Sequence, residues 1–366
     1  MIEFDNKLYA ASINYEKGAK LYCSANGATW ADPIMPWSSD NDSVRTMAVD
    51  NGLLYVGTEN NASGGELWVY DGTTWKQKGT GGQFDGDPAL AQVAVYGEKL
   101  YVGTWDFGDN YKLFMSEDDG VTFIDRTPVF TGSDSLNNLG VMKLVEFGGD
   151  LYLGTVNYRD GFTLLRTDNP SDVNGWEVIT TNGFDDPDNA YSWSMQVMGD
   201  TLYLGTFNSG LYGGMYSDIL PWLPLDGRAE LWYLTEDGDW AQLVDDGFGS
   251  MFTYGFRTMT VSDDRLFVGT ASNFFIPDPQ ALLNYLENPQ NAGQISQMVE
   301  NILASWGIEN PDVITIDVDA LRQMLEGYVG SNWIGCEVYA SNVPEPSTLV
   351  LLCFAFLTLA GIRRKF

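Results

Sequence analysis

A five-residue strand signature returns six times along the chain and limits what it can fold into. Leu8-Tyr9-Ala10-Ala11-Ser12 is followed by Leu54-Tyr55-Val56-Gly57-Thr58 and Leu100-Tyr101-Val102-Gly103-Thr104. Leu151-Tyr152-Leu153-Gly154-Thr155, Leu202-Tyr203-Leu204-Gly205-Thr206 and Leu266-Phe267-Val268-Gly269-Thr270 complete the series. Successive copies start 46, 46, 51, 51 and 64 residues apart. A strand-built repeat of roughly 40 to 50 residues is the spacing of a β-propeller, in which each repeat makes one four-stranded blade.

Each repeat divides in the same way. An alternating strand such as Thr46-Met47-Ala48-Val49 leads into a tight turn rich in Gly and Asp, and the signature strand follows. A third strand (Glu66-Leu67-Trp68-Val69-Tyr70; Glu230-Leu231-Trp232-Tyr233-Leu234) and an aromatic-led fourth, at Trp75, Phe123, Trp176 and Trp240, close the unit. Period-two alternation and turn chemistry agree, so the expected fold is all-β, a propeller of about six four-stranded antiparallel blades spanning 1–341. Two insertions, near 209–228 and 274–333, separate strand two from strand three of their blades. The second carries helical apolar spacing at 280–286, 292–306 and 318–328, so a helical insertion is expected in the last blade. Strand three of that blade falls near Cys336-Glu337-Val338-Tyr339-Ala340, with no room for a fourth strand before the tail. The missing strand is expected from upstream of Met1, and a seventh blade there stays open. Met1-Ile2-Glu3-Phe4-Asp5-Asn6-Lys7 also lacks a basic start, an apolar stretch and a cleavage site, so a signal peptide is expected upstream as well.

Composition narrows the chemistry. The 366 residues include 19 basic and 50 acidic side chains, a net charge of −31, which disfavours nucleic acid and attracts cations or basic partners. Hydrophobic residues at 44% and aromatic residues at 14% nevertheless require a packed core. The chain has no histidine, which excludes His-dependent triads and His-rich metal sites. Of three cysteines, Cys353 lies in an apolar tail, so the one possible disulfide is Cys23 to Cys336, with two free thiols as the alternative.

In a four-stranded blade, the loops joining strands two and three and those joining blades emerge on one face. Both insertions are expected there, with the acidic connectors Asp40, Asp42, Asp85, Asp87, Asp134, Asp185, Asp186 and Asp188. Strand two ends on the same face with a recurring polar position, two after the Thr: Asn60, Asp106, Asn157 and Asn208, with Asn273 one further on. A ring of side-chain oxygens at these positions suits Ca²⁺, as do Asp85, Asp87, Asp185, Asp186 and Asp188; equally, Asn and Asp at strand ends initiate turns. Arg45 and Arg257 share a register nine before the signature Leu, where the other repeats have Ala91, Met142 and Trp193. An arginine there could fork onto a carboxylate-bearing sugar or pair with a neighbouring acidic loop.

Ser116-Glu117-Asp118-Asp119-Gly120-Val121-Thr122-Phe123 resembles the Asp-box turn, S-x-D-x-G-x-T-[WF], of sialidase-like propellers. Asp71-Gly72-Thr73-Thr74-Trp75 and Glu236-Asp237-Gly238-Asp239-Trp240 are shortened relatives. In this motif the aspartate is expected to brace turn amides rather than to hold a ligand. The resemblance implies fold alone, because the arginine triad and Tyr–Glu pair of a sialidase have no counterparts at the matching positions.

The last residues, from Asn342, combine Val343-Pro344-Glu345-Pro346, an apolar run from Leu349 to Ile362, and Arg363-Arg364-Lys365. Two prolines hold a segment extended for an enzyme to grip, and terminal cations stay on the cytoplasmic side of a bilayer. Counted from Ser347, the run spans roughly 24 Å as a helix, short against about 30 Å of hydrocarbon. Part by part the tail resembles PEP-CTERM sorting signals, a type also labelled ice-binding protein C-terminal domain. That resemblance, over 342–366, implies a transmembrane sorting helix, an exosortase partner, and a membrane-anchored precursor destined for the cell surface or an exopolysaccharide matrix. The expected role is non-enzymatic binding or scaffolding of polysaccharide or envelope material. The alternative is a secreted carbohydrate-active hydrolase or lyase using paired carboxylates on the loop face.

Overall fold

In the computed structural model the regular structure of the described residues is all β. Residues 1–106, 111–129, 137–210, 228–249, 253–272 and 338–341 are described. The insertion at 274–333, expected to be helical, most of the 209–228 insertion, Asp134, Asn273, Cys336 and the whole tail, with the membrane segment expected there, lie outside them.

A first compact unit covers Met1–Met195. It opens with an antiparallel sheet of β1 (Ile2–Phe4), β2 (Lys7–Ala11) and β3 (Leu21–Ser24), to which Ile34 adds a single bridge against Leu21. Three antiparallel meanders follow. They are β4 (Ser43–Asp50), β5 (Leu53–Glu59), β6 (Leu67–Tyr70) and β7 (Trp75–Lys78); β8 (Ala89–Tyr96), β9 (Lys99–Trp105), β10 (Leu113–Ser116) and β11 (Ile124–Asp125); then β12 (Gly140–Phe147), β13 (Asp150–Val156), β14 (Leu164–Thr167) and β15 (Glu177–Thr180). The chain passes through β16 (Asn189–Met198) into the second unit, Gln196–Phe366. There β17 (Thr201–Asn208), β18 (Leu231–Leu234) and β19 (Trp240–Val244) pair in order, as do β20 (Thr253–Ser262), β21 (Arg265–Ser272) and β22 (Val338–Ser341). Strand three of the last repeat therefore resumes beyond the long insertion, as its sequence pattern requires. Cys23, on β3, forms no disulfide among the described residues.

The signature strand is the buried heart of each sheet. β5, β9 and β13 are buried along almost their whole length, whereas β7 and β15 are exposed at two of their four residues. A strand covered on both faces needs a continuous apolar run, which Leu-Tyr-Val-Gly supplies. Side chains from adjacent sheets fill the space between them. Tyr55, Leu67, Val69, Phe84, Leu90, Val102 and Phe114 pack together, and Tyr101, Leu113, Met115, Val141, Leu151, Leu165 and Trp176 repeat the arrangement one sheet on. Each such side chain contributes about 1.5–3 kcal/mol when fully buried.

The signature glycine admits the next sheet. A β-carbon on Gly103 would meet the Cβ of Val141 at 2.5 Å, and one on Gly57 would meet the Leu90 carbonyl oxygen at 2.7 Å. Gly154 faces Ser192 in the same way. Leu90, Val141 and Ser192 each stand ten residues before the signature Leu, so one contact recurs from sheet to sheet.

The signature threonine closes a clasp. Its hydroxyl accepts the N–H that opens strand three: Glu66 to Thr58 at 2.9 Å, Lys112 to Thr104 at 2.8 Å, Thr163 to Thr155 at 2.8 Å. Glu230 donates to Thr206 at 2.9 Å even though 24 residues separate them. The Thr58 and Thr155 hydroxyls donate in turn to Asn41 Oδ1 and Asn138 Oδ1, at 2.5 and 2.8 Å. Asn41, Asn138 and their register equivalents Asp87, Asn189 and Thr253 are all buried. A buried polar ladder of this kind is stable because each donor finds an acceptor.

Candidate functional site

The loop-side end of each signature strand meets the start of the next strand one. Glu59 pairs with Ala89, Trp105 with Gly140 and Val156 with Tyr191 in the first unit, and Phe207 with Gly255 in the second. The residues at these junctions are the candidates, taken separately in each unit.

The strand-end Asn residues act as turn caps. Asn60 Oδ1 accepts the N–H groups of Ala62 and Ser63 at 3.0 and 3.1 Å, and Asn157 Oδ1 accepts those of Arg159 and Asp160 at 2.9 and 3.0 Å. Asn208 Oδ1 accepts from Gly210 at 2.9 Å. The backbone N–H of the same position reaches the following sheet, from Asn60 to Pro88, Asp106 to Leu139 and Asn157 to Ala190, each at 2.8 Å. With their carboxamide oxygens turned to local amides, these side chains serve the turn reading of the repeated position.

The acidic candidates divide into three settings. Asp85 lines a shallow open cleft with Asn60, Ser63, Pro88 and Asp106, so three sequence candidates from two categories share one depression. Asp87 is buried and pairs with Lys112 Nζ at 2.9 Å. Burial pushes its carboxyl above the usual range, and Lys112 opposes that. Asp185 and Asp186 belong to the loop before β16. Asn182 Nδ2 donates to Asp185 Oδ1 at 2.9 Å, and the Asp188 N–H donates to Asp186 Oδ1 at 2.9 Å. Burial raises the Asp188 carboxyl. Among the described residues no three acidic or thiol groups gather where a metal ion could sit.

Arg45 occupies a β-bulge. The ladder slips between Val44 and Thr46, between Leu90 and Gln92, between Val141 and Lys143, and in the second unit between Phe256 and Thr258. The bulged residues are Arg45, Ala91, Met142 and Arg257, the register singled out in the sequence. Bulges re-aim side chains, commonly beside functional sites. Arg257 is exposed on β20. Arg45 donates from Nε to Glu59 Oε2 at 2.7 Å and from Nη2 to the same oxygen at 2.5 Å. Glu59 Oε1 accepts from Asn61 Nδ2 at 3.3 Å. Arg45 therefore pairs with a carboxylate at the end of strand two of its own sheet, not with one of the acidic connectors.

Beside Arg45 stands an aromatic cluster that sequence reading missed. The guanidinium lies 5.2 Å from the Trp105 ring centre, in range of a cation–π contact. Trp105 meets Tyr191 edge-on at 5.7 Å, and Tyr191 meets Tyr158 at 5.2 Å and Trp193 at 5.9 Å, both near perpendicular. Gly140 makes room for Trp105, since a β-carbon there would lie 2.7 Å from the indole Cγ. Trp105 and Tyr191 are buried, Trp193 is partly buried, and Tyr158 is 46% exposed. Burial raises the Tyr158 phenol, and the nearby Arg45 charge opposes the rise. The signal was present in the sequence, because Trp105 directly follows Gly103-Thr104 and Trp193 holds the Arg45 register.

Residues 342–365 match the PEP-CTERM protein-sorting motif. No curated protein matches the chain. Among solved structures, the extracellular domain of a hybrid two component system from B. thetaiotaomicron is similar at 16% identity and a TM-score of 0.50, over 75% of this chain. The chain spans only 31% of that protein. An endosialidase of phage phi92 is similar at 13% identity and a TM-score of 0.46, over 76% of this chain and 62% of that one. A Trypanosoma rangeli sialidase solved with sialic acid is similar at 12% identity and a TM-score of 0.40, over 75% of this chain and 51% of that one. At these identities the likeness concerns fold alone, and that fold is all-β and propeller-like.

Proposed function

We propose that this is an exported propeller of about six blades that binds or scaffolds polysaccharide at the cell surface or in the extracellular matrix, without catalysing a reaction. Residues 1–341 make the propeller, with a helical insertion near 274–333, and 342–366 are a sorting tail handed to an exosortase. The supporting observation is the match of the tail to the PEP-CTERM sorting motif. Val343-Pro344-Glu345-Pro346 is the extended grip, the apolar run enters the bilayer, and Arg363, Arg364 and Lys365 hold the end on the cytoplasmic side. The precursor is anchored and the mature protein leaves the membrane. The test is replacement of Pro344, Glu345 and Pro346 by Ala in the chain expressed behind a secretory leader in an exosortase-bearing host. Wild-type protein is expected to lose its tail, by mass spectrometry of the C-terminus, and the triple variant to stay membrane-bound and uncleaved. Equal cleavage of both would overturn the exosortase reading.

One observation favours a second reading. Asp85 and Asp106 line the same cleft, which offers two carboxylates for glycoside hydrolysis or elimination.

A further inference from the structure

We infer that Tyr158, which packs on the same Tyr191 ring as Trp193 and lies near Arg45, is a stacking site for one sugar ring of a neutral polysaccharide. The inference rests on the binding role proposed above and gives it a place and a ligand class.

Rigidity comes first. Trp105 is seated over Gly140 on one side and faced by the Arg45 guanidinium. Glu59 holds that guanidinium through two N–H groups, and Asn61 holds Glu59. Tyr191 rests edge-on against Trp105 and supports both Tyr158 and Trp193. The backbone beside Tyr158 is tied by the two amide bonds to Asn157 Oδ1. Four aromatic rings are thus held by three adjacent sheets, with the outermost one open to solvent. Aromatic side chains fixed this way lose little entropy on binding, which is the advantage of preorganisation.

Chemistry selects the ligand. One face of a pyranose is a patch of polarised C–H groups, which suits the electron-rich face of an aromatic ring. Its rim is hydroxyl, able to accept from guanidinium N–H groups not used by Glu59 and to bond the Tyr158 phenol. Charge selects within the class. Arg45 is already balanced by Glu59, Arg159 stands next to Asp160, and the whole chain carries −31. A polyanionic chain meets no surplus of positive charge there and is repelled at range, so the fitting ligand is uncharged.

The experiment titrates the full chain, held in detergent micelles, with cellohexaose, xylohexaose, isomaltohexaose and hexagalacturonate, reading tryptophan fluorescence. Saturable binding of at least one neutral oligosaccharide is expected. Tyr158→Ala should weaken it by about tenfold or more, while Tyr158→Phe, which keeps the ring, stays within about threefold of wild type. Trp193→Ala supplies an independent loss if Tyr158→Ala does not fold. The site is overturned if no neutral oligosaccharide binds, if hexagalacturonate binds most tightly, or if folded Tyr158→Ala and Trp193→Ala both bind like wild type. In that last case a neutral ligand binds elsewhere and the broader binding role survives. Failure of tail processing would instead remove the sorting role and leave this site untouched.

Discussion

Asp118 illustrates how much one carboxylate organises. Its Oδ1 accepts the N–H groups of Val121 and Thr122 at 3.1 and 2.8 Å and the Ser116 hydroxyl at 2.8 Å, and its Oδ2 accepts the Thr122 hydroxyl at 2.6 Å. Asp119 and Gly120 take positive φ, and Phe123 packs on Phe84 at 5.0 Å. Asp71 repeats the bracing with Thr73 and Thr74. The Thr122 bonds, foremost its hydroxyl, hold the Asp118 carboxyl down to about 2. A folded-state pKa below the unfolded value gives stability that is present above the unfolded pKa and lost as pH falls through the folded one. Thr122→Ala is therefore expected to move the Asp118 titration up toward the ordinary carboxylate value, read by carboxyl carbon NMR. An unchanged midpoint would mean that the hydroxyl does not brace the turn. This turn was legible because Ser, Asp, Gly and Thr act within eight residues. The buried register of Asn41, Asp87 and Asn138 was not, since the partners lie 17 residues further along for Asn41 and Asn138 and 25 for Asp87, and the residues themselves look like ordinary loop residues.

At the scale of the strand, the Leu-Tyr-x-Gly-Thr signature foretold position, order and pairing, because its residues keep the same jobs in the copies at Leu54, Leu100 and Leu151. Leu and Tyr fill the space between sheets, Gly admits the neighbour and Thr clasps strand three. The strand-end oxygens were legible as a repeat, and the structure adds the amide partners of Asn60, Asn157 and Asn208. The aromatic cluster showed in the sequence only as single residues, Trp105 and Trp193, for a different reason. It draws Trp105, Tyr158 and Tyr191 from separate repeats and from unequal registers, so no period announces it. The glycine's role has a direct test. Gly103→Ala places a methyl against Val141, whose β-carbon is fixed to its own backbone, so the two sheets must part. The expected cost is about 1–3 kcal/mol in urea unfolding, and a variant as stable as wild type would show that the sheets do not meet there.

At the scale of the whole molecule, each unit is built of repeated sheets and the tail matches a sorting motif, while a net charge of −31 keeps the surface hydrated and hostile to polyanions. Loss of Arg363, Arg364 and Lys365 by the proposed tail processing would deepen that charge. The central claim is that the exported chain holds a polysaccharide without cutting it. Its most direct test mixes the protein with insoluble neutral polysaccharide, sediments it, and measures both bound protein and reducing ends released into solution. Co-sedimentation with no more reducing ends than a protein-free control is the predicted result. Release of reducing ends that is abolished by Asp85→Asn or Asp106→Asn would contradict it and establish the hydrolytic reading in its place.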